Sequence, residues 1–365
     1  MIVDFIAGAR PNFMKIAPMI KAISQYPSSI ISYRLIHTGQ HYDQNMSDTF
    51  FEQLGIPEPN VNLGAGGGTQ AEQTAKIMVG YECLLLKEPC DLCIVVGDVT
   101  STMACSIAAK KLNIKVAHVE AGIRSGDLTM PEEINRMVTD SISDYFFTTS
   151  ESANQNLLKL GVTENRIFFV GNTMIDTLLS NAHRFQKPQF WDQNKLVPKH
   201  YLVLTLHRPA NVDQDSNLEL LIKTIVENAN NLKLIFPVHP RTRQVLDRLN
   251  IVHPNLILSD PLPYLEFNYL VKNSKAVITD SGGITEETTV LGVPCMTLRS
   301  NTERPETITI GTNELLGVNP DALIPAMKKL IYGKWKKGGI PPFWDGKTSE
   351  RIIEELLKLK YKSIA

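Results

Sequence analysis

Met1-Ile-Val-Asp-Phe-Ile-Ala-Gly-Ala-Arg-Pro-Asn-Phe-Met-Lys15 opens the chain, and its reading decides the fold. Ile2–Ala7 is a short apolar run, Gly8 a turn residue, and the stretch from Pro11 to Tyr26 is of helix length. The alternation continues through further strand-like runs at Ile31–Thr38, Leu92–Val96, Val116–Val119, Tyr145–Thr149 and Ile167–Val170. Strands that alternate with helices require crossover connections, hence a mostly parallel sheet. The second half repeats the pattern at Tyr201–Leu206, Leu232–Val238, Leu256–Ser259, Ala276–Thr279 and Met296–Leu298. The expected fold class is therefore α/β, two Rossmann-like domains with a cleft between them.

A chain of 365 residues suits two such domains. The first is expected to span residues 1–172 and the second residues 173–348, with the linker in His183–Lys199, where Pro188, Trp191 and Pro198 break any periodic pattern. Residues 349–362 read as an amphipathic helix, with Ile352, Ile353, Leu356 and Leu357 on one stripe, that packs back on the first domain.

With 37 basic and 38 acidic residues the formal charge is −1, so no global field draws a polyanion such as nucleic acid or a membrane surface. Phosphate has to be met locally. The N-terminal apolar run lacks a basic flank and reads as a strand rather than a signal peptide, and no apolar stretch approaches the roughly 18 residues of a membrane span. Five cysteines, Cys83, Cys90, Cys93, Cys105 and Cys295, sit in apolar segments, as reduced thiols in a cytoplasmic protein do. Cys90-Asp-Leu-Cys93 has metal-pair spacing but no second pair to complete a zinc site, so no metal is expected.

In open parallel sheets ligands bind beyond the carboxyl ends of the strands. The loop Gly8-Ala-Arg10-Pro-Asn-Phe-Met-Lys15 is a glycine turn entering a helix with two cations, which suits an anion. It has neither the full dinucleotide glycine pattern nor a phosphate-loop ending, so no nicotinamide cofactor is expected. Gly97-Asp98-Val-Thr-Ser-Thr places a carboxylate where a helix cap would also suffice. His118-Val-Glu120-Ala-Gly and Met130-Pro-Glu132-Glu133 add further acids. Pro131 at a helix start accounts for one of Glu132 and Glu133 as a first-turn acid, but nothing of that kind accounts for Glu120. Clustered carboxylates with separated pKa values are what proton transfer at carbon requires.

In the second half His207-Arg208 ends a strand, and His239, in Phe236-Pro-Val-His239-Pro-Arg241, repeats the arrangement one strand on. Thr279-Asp-Ser281-Gly282-Gly283-Ile-Thr-Glu-Glu287 is a strand, a glycine turn and a helix start. Its amides suit phosphate, and an acid one turn on suits ribose hydroxyls.

In order along nearly the whole chain, Gly8-Ala-Arg-Pro…Lys15, Gly97-Asp98, His118-Val-Glu120-Ala-Gly, Pro131-Glu-Glu, His207-Arg208, Asp280-Ser-Gly-Gly and Thr302-Glu-Arg-Pro resemble the non-hydrolysing UDP-N-acetylglucosamine 2-epimerase family. The resemblance implies a glycosyltransferase-B-like fold, a UDP-sugar substrate and a homodimer. It implies catalysis by Asp98, Glu120, Glu132 and His207. It sets Arg10 and Lys15 at the diphosphate, Ser281, Gly282 and Gly283 at phosphate, Glu287 at ribose, and Arg304 and Phe267 in the nucleotide pocket. The reaction implied is interconversion of UDP-GlcNAc and UDP-ManNAc through a 2-acetamidoglucal, for surface polysaccharide precursors.

The chain departs from the pattern where relatives with an allosteric site carry Gln-His-Arg-Glu; here Thr38-Gly-Gln-His-Tyr-Asp43 stands instead. That stretch also resembles relatives acting on diacetamido-glucuronate or N-acetylfucosamine nucleotides. A glycosyltransferase of the same architecture and a non-catalytic UDP-sugar sensor are the rival readings.

Overall fold

The computed structural model describes residues 1–40, 51–212, 215–238 and 240–362. It divides into two compact units, one of Met1–Ser180 with Pro342–Ala365 and the other of Asn181–Pro341.

Among the described residues the first unit holds seven strands: β1 (Ile2–Ala7), β2 (Ser32–His37), β3 (Val61–Asn62), β4 (Leu92–Val96), β5 (Lys115–Val119), β6 (Tyr145–Thr148) and β7 (Ile167–Phe169). They lie in the order β3-β2-β1-β4-β5-β6-β7, and every pairing is parallel. Such a sheet is covered on both faces, so its strands are apolar at consecutive positions. Val3, Phe5, Leu92, Ile94 and Val96 enter one core layer with Phe13, Ile16, Met19 and Ile20 of the helix Arg10–Ile23. Ile6, Cys93 and Val95 face the other layer, against Ile77 and Tyr81 of the helix Gln70–Lys87 and Ala104 and Ala108 of the helix Thr100–Lys111.

The C-terminal helix Thr348–Lys362 returns to this unit and adds Ile352, Ile353 and Leu356 to the first layer. Its opening amides, Thr348 N and Ser349 N, donate to the Asp176 carboxylate at 3.1 and 2.6 Å. The helix Thr173–Asn181 that carries Asp176 is tied to the first helix by Thr177 Oγ1, which donates to Met14 O at 2.5 Å.

Among the described residues the second unit has six strands, β8 (Tyr201–Thr205), β9 (Lys233–Pro237), β10 (Leu256–Ser259), β11 (Ala276–Thr279), β12 (Cys295–Thr297) and β13 (Asn313–Leu315), in the order β10-β9-β8-β11-β12-β13, again all parallel. Leu202, Leu204, Leu234 and Phe236 pack under the helices Asp215–Asn228 and Leu323–Ile331. Trp191 lies on the opposite face, edge-on to Tyr201 and to Tyr269 at 5.4 Å each. Counted from each first strand, the two sheets share the order 3-2-1-4-5-6, so each has a switch point, between β1 and β4 and between β8 and β11. The strands foreseen from sequence match within one or two residues; β3 and β13 were not foreseen.

Candidate active site

At the β1/β4 switch point the turn after β1 is locked by Asn12. Its Oδ1 accepts the Gly8 and Ala9 amides at 3.1 and 2.9 Å, and its Nδ2 donates to Val96 O at 2.9 Å. Gly8 is forced by packing: a Cβ there would lie 2.0 Å from Ser101 Oγ. One turn along the helix, Lys15 Nζ meets Glu120 Oε2 at 2.6 Å, with the carboxylate side chain only 2% exposed. A Cβ on Gly97 would stand 3.1 Å from Lys15 Nζ and 3.8 Å from Glu120 Oε2, so β1, β4 and β5 deliver their ends to one spot. Glu120 holds φ at 70°, left-handed in a residue that is neither glycine nor asparagine. Such backbone costs free energy and persists where surroundings enforce it, commonly at functional positions. Here the amides of Glu120 and Ala121 both donate to Phe147 O, at 3.0 and 3.1 Å.

Asp98 is not a helix cap. Val99 occupies the N-cap of the helix Thr100–Lys111, and the Ser101 amide donates to Gln40 Oε1 at 3.1 Å. Asp98 instead pairs through Oδ2 with Arg136 Nη2, and its carbonyl accepts Asn135 Nδ2 at 2.8 Å. Both partners stand on the helix Pro131–Ile142. Of the two first-turn acids on that helix, Glu133 is the buried, structural one. It accepts the Ser125 and Gly126 amides at 2.9 and 3.1 Å and pairs with Arg136 at 2.9 Å. These bonds and the cation hold its carboxyl below the usual range despite burial. Glu132 is half-buried.

At the β8/β11 switch point Asp280, fully buried, organises the turn after β8. Its carboxylate accepts the His207 amide at 3.1 Å, the Arg208 amide at 2.9 Å and Asn211 Nδ2 at 3.0 Å. His207 Nδ1 lies 2.6 Å from Asp280 Oδ1, while 63% of the imidazole side chain remains exposed. Burial works against the Asp280 charge, but His207, Asn211 and the Arg208 amide hold its pKa below the ordinary value. The carboxylate fixes the ring through Nδ1.

Ser281 stands at the N-cap of the helix Gly282–Leu291 with no side-chain capping bond, so the first amides keep their anion-binding capacity. One turn on, Glu287 is buried and accepts Tyr264 Oη–H at 3.1 Å. Burial pushes its carboxyl up to about 7, with Tyr264 opposing and Glu286 adding to the rise. Arg304 Nε pairs with Glu286. Phe267 is partly buried against the core layer that holds Trp191. Arg10, the first residue of its helix, is exposed. His239 lies outside the described residues, as do residues 41–43 of the Gly-Gln-His-Tyr-Asp stretch.

The structure thus brings Lys15 to Glu120, Asp98 to the helix that carries Glu132, and His207 to Asp280. The supporting residues Asn12, Arg136, Tyr264 and Asp280 were not singled out as site residues from sequence. Asn12, within Gly8-Ala-Arg-Pro-Asn-Phe-Met-Lys15, Arg136, within Met130-Pro-Glu-Glu-Ile-Asn-Arg136, and Asp280, within Asp-Ser-Gly-Gly, stood in motifs that could have flagged them. Cys90 and Cys93 are buried, with burial pushing the Cys90 thiol up to about 12. Among the described residues no three His, Cys, Asp or Glu side chains are arranged to hold a metal ion, and no helix is long and apolar enough to cross a membrane.

The family profile described as UDP-N-acetylglucosamine 2-epimerase matches residues 23–357. A Methanocaldococcus jannaschii UDP-N-acetylglucosamine 2-epimerase is 42% identical over 373 residues, covering 99% of this chain and all of that protein. A Pseudomonas aeruginosa UDP-2,3-diacetamido-2,3-dideoxy-D-glucuronate 2-epimerase is 38% identical, covering 97% of this chain and 99% of its own. The crystal structure of Methanocaldococcus jannaschii UDP-GlcNAc 2-epimerase in complex with UDP-GlcNAc and UDP superimposes with a TM-score of 0.86 at 43% identity, covering 98% of this chain and 100% of that one. The S. aureus MnaA–UDP co-structure gives 0.89 at 30% identity, covering 99% and 97%. The α/β fold is the glycosyltransferase-B-like one of these structures. The chain belongs to the UDP-N-acetylglucosamine 2-epimerase family, a family of isomerases.

Proposed function

We propose that this family member interconverts UDP-N-acetylglucosamine and UDP-N-acetylmannosamine by eliminating and re-adding UDP, without nicotinamide or metal. The observation that carries the chemistry is Glu120, a buried carboxylate held in left-handed backbone 2.6 Å from a lysine at the sheet's switch point. The likeness to UDP-N-acetylglucosamine 2-epimerases supports this substrate. We read the enzyme as a cytoplasmic homodimer supplying precursors of surface polysaccharide.

C2 of the sugar has no adjacent carbonyl, so its proton is weakly acidic and a simple carbanion route would be slow. In elimination, a carboxylate takes the C2 proton, the C1–O bond breaks with its electron pair on UDP, and a C1=C2 double bond forms. A second group then protonates C2 from the opposite face as UDP returns to C1. Asp98, Glu120 and Glu132 form the proton-transfer set. His207, its Nδ1 fixed by Asp280, protonates or binds the departing phosphate through Nε2. Arg10, Lys15, Arg304 and the Ser281–Gly283 amides stabilise the diphosphate. Glu287 takes the ribose, Phe267 lines the nucleotide pocket and His239 contributes to substrate binding.

The likeness to the diacetamido-glucuronate 2-epimerase supports a second reading, the same chemistry on that nucleotide sugar. Purified protein incubated in deuterium oxide with UDP-GlcNAc, chelator and no added cofactor is expected to give the manno epimer with deuterium at C2. Failure to epimerise this sugar and the diacetamido-uronate and fucosamine nucleotides would sink the reading. Product that keeps its hydrogen at C2 would refute the elimination route.

A further inference from the structure

We propose that His118 and Asp140 are positioning residues that set the proton-transfer carboxylates against one another, a role that rests on the elimination reaction above. His118 is fully buried in β5, where its ring forms a bridge. His118 Nε2 lies 2.8 Å from Gly97 O, the carbonyl just before Asp98, and Nδ1 lies 2.7 Å from Asp140 Oδ1. The other Asp140 oxygen accepts the Gly122 amide at 3.0 Å and forms an ion pair with Arg124 Nη2 at 2.7 Å. Gly122 is two residues beyond Glu120, and Asp140 lies two turns along the helix that carries Glu132 and the Asp98 partner Arg136.

One imidazole and one carboxylate therefore join the three segments that bear Asp98, Glu120 and Glu132. The ring cannot rotate without losing one of two buried acceptors, and an unmet buried polar group is costly. Burial alone would raise the Asp140 pKa, but His118 and Arg124 hold it below the ordinary carboxylate value, so the carboxylate stays available as acceptor. Rigid placement matters because elimination and reprotonation use different groups on opposite faces, and small misplacements slow one step more than the other.

The pair is tested by following two products, the epimer and the free glycal with UDP that escapes when the first half-reaction outruns the second. Asp140→Ala severs the bridge. Asp140→Asn preserves it, since its oxygen can keep Gly122 and Arg124 while its amide donates to His118 Nδ1. Asp140→Ala is expected to lower epimer formation on the order of 10²-fold with UDP affinity unchanged, and to raise the glycal-to-epimer ratio above that of wild type. Asp140→Asn is expected to restore both to within several-fold. The ratio does not depend on the fraction of protein that folds. If Asp140→Ala is recovered only unfolded, His118→Gln, which keeps bulk and a donor for Gly97 O, is expected to give the same rise. An unchanged ratio in the bridge-breaking variants, whatever the rate, overturns the proposal. Wild-type protein that yields neither epimer nor glycal from any of the three nucleotide sugars overturns the underlying reaction as well, and UDP affinity then shows whether binding or chemistry failed.

Discussion

The two switch points have the same strand order around them and are furnished in opposite ways. At β1/β4 the charges face one another: Lys15 with Glu120, Asp98 with Arg136, Arg136 with Glu133. At β8/β11 a single buried carboxylate, Asp280, collects amides and a histidine ring, and the neighbouring turn offers an uncapped helix start. The first arrangement suits proton transfer, in which buried acids need fixed partners. The second suits holding an anion, in which amides are left facing outward. A shared topology places a site; side chains at the strand ends decide its chemistry.

The contrast breaks most sharply at Lys15. Removing one partner of a buried ion pair leaves the other charge uncompensated, so Lys15→Ala is expected to cost about 3–5 kcal/mol of stability. Urea unfolding would measure it. A loss under about 1 kcal/mol would show that the Lys15–Glu120 pair is solvated and the first site is not the dry, paired one described above.

Glu287 sharpens the other side. Its folded-state carboxyl sits at about 7, above the ordinary value for a glutamate in an unfolded chain. Between those two values the folded state holds a proton that the unfolded state releases. The stability contributed is therefore intact at low pH and falls as pH rises toward 7, by up to about 3 kcal/mol, then levels off. Subtracting the unfolding free energy of Glu287→Gln from that of wild type at each pH isolates this term. A difference that stays flat from pH 4.5 to 8 would mean that Glu287 is ionised throughout.

Third in size is the chemical effect. Glu120→Gln is expected to cut turnover on the order of 10²-fold, about 2.7 kcal/mol of transition-state stabilisation, while UDP affinity stays put. Steady-state rates with calorimetry on UDP decide it. Equal losses of affinity and rate would assign Glu120 to binding and merge the two sites' roles.

How far the sequence anticipated this contrast depends on range. Strand and turn signals are local, so the alternation, the two switch-point loops and the glycine turn at Ser281 could be read directly. β3 escaped because two residues carry no period, and β13 because Asn313 and Glu314 are polar in a three-residue strand. The partners escaped for another reason. Arg136 lies 38 residues from Asp98, and Asp140 lies 22 from His118. No spacing rule links such pairs; only the crossover geometry brings them together. His118 shows the hazard of proximity in sequence, since next-but-one to Glu120 it suggests a second acid–base group, yet its ring is buried and held between Gly97 O and Asp140.

The smallest effect tests the glycines. Gly8 and Gly282 both open helices after strands, but for different reasons. A Cβ at Gly8 would fall 2.0 Å from Ser101 Oγ and 2.6 Å from Ser101 Cβ, so Gly8→Ala must push backbone or helix aside, at about 1–3 kcal/mol. At Gly282 a Cβ would meet nothing nearer than Arg299 Nη1 at 3.7 Å, an ordinary contact. Its backbone is not left-handed, and alanine is the better helix former by up to about 1 kcal/mol. The protein's own packing therefore gives no reason for glycine at position 282. The proposed phosphate site would supply one, since a methyl group would hold a ligand off the bare backbone. Gly282→Ala is accordingly expected to leave the unfolding midpoint unchanged or slightly raised, while weakening UDP binding about tenfold, roughly 1.4 kcal/mol. Full UDP affinity in this variant would move the phosphate site away from the turn after β11.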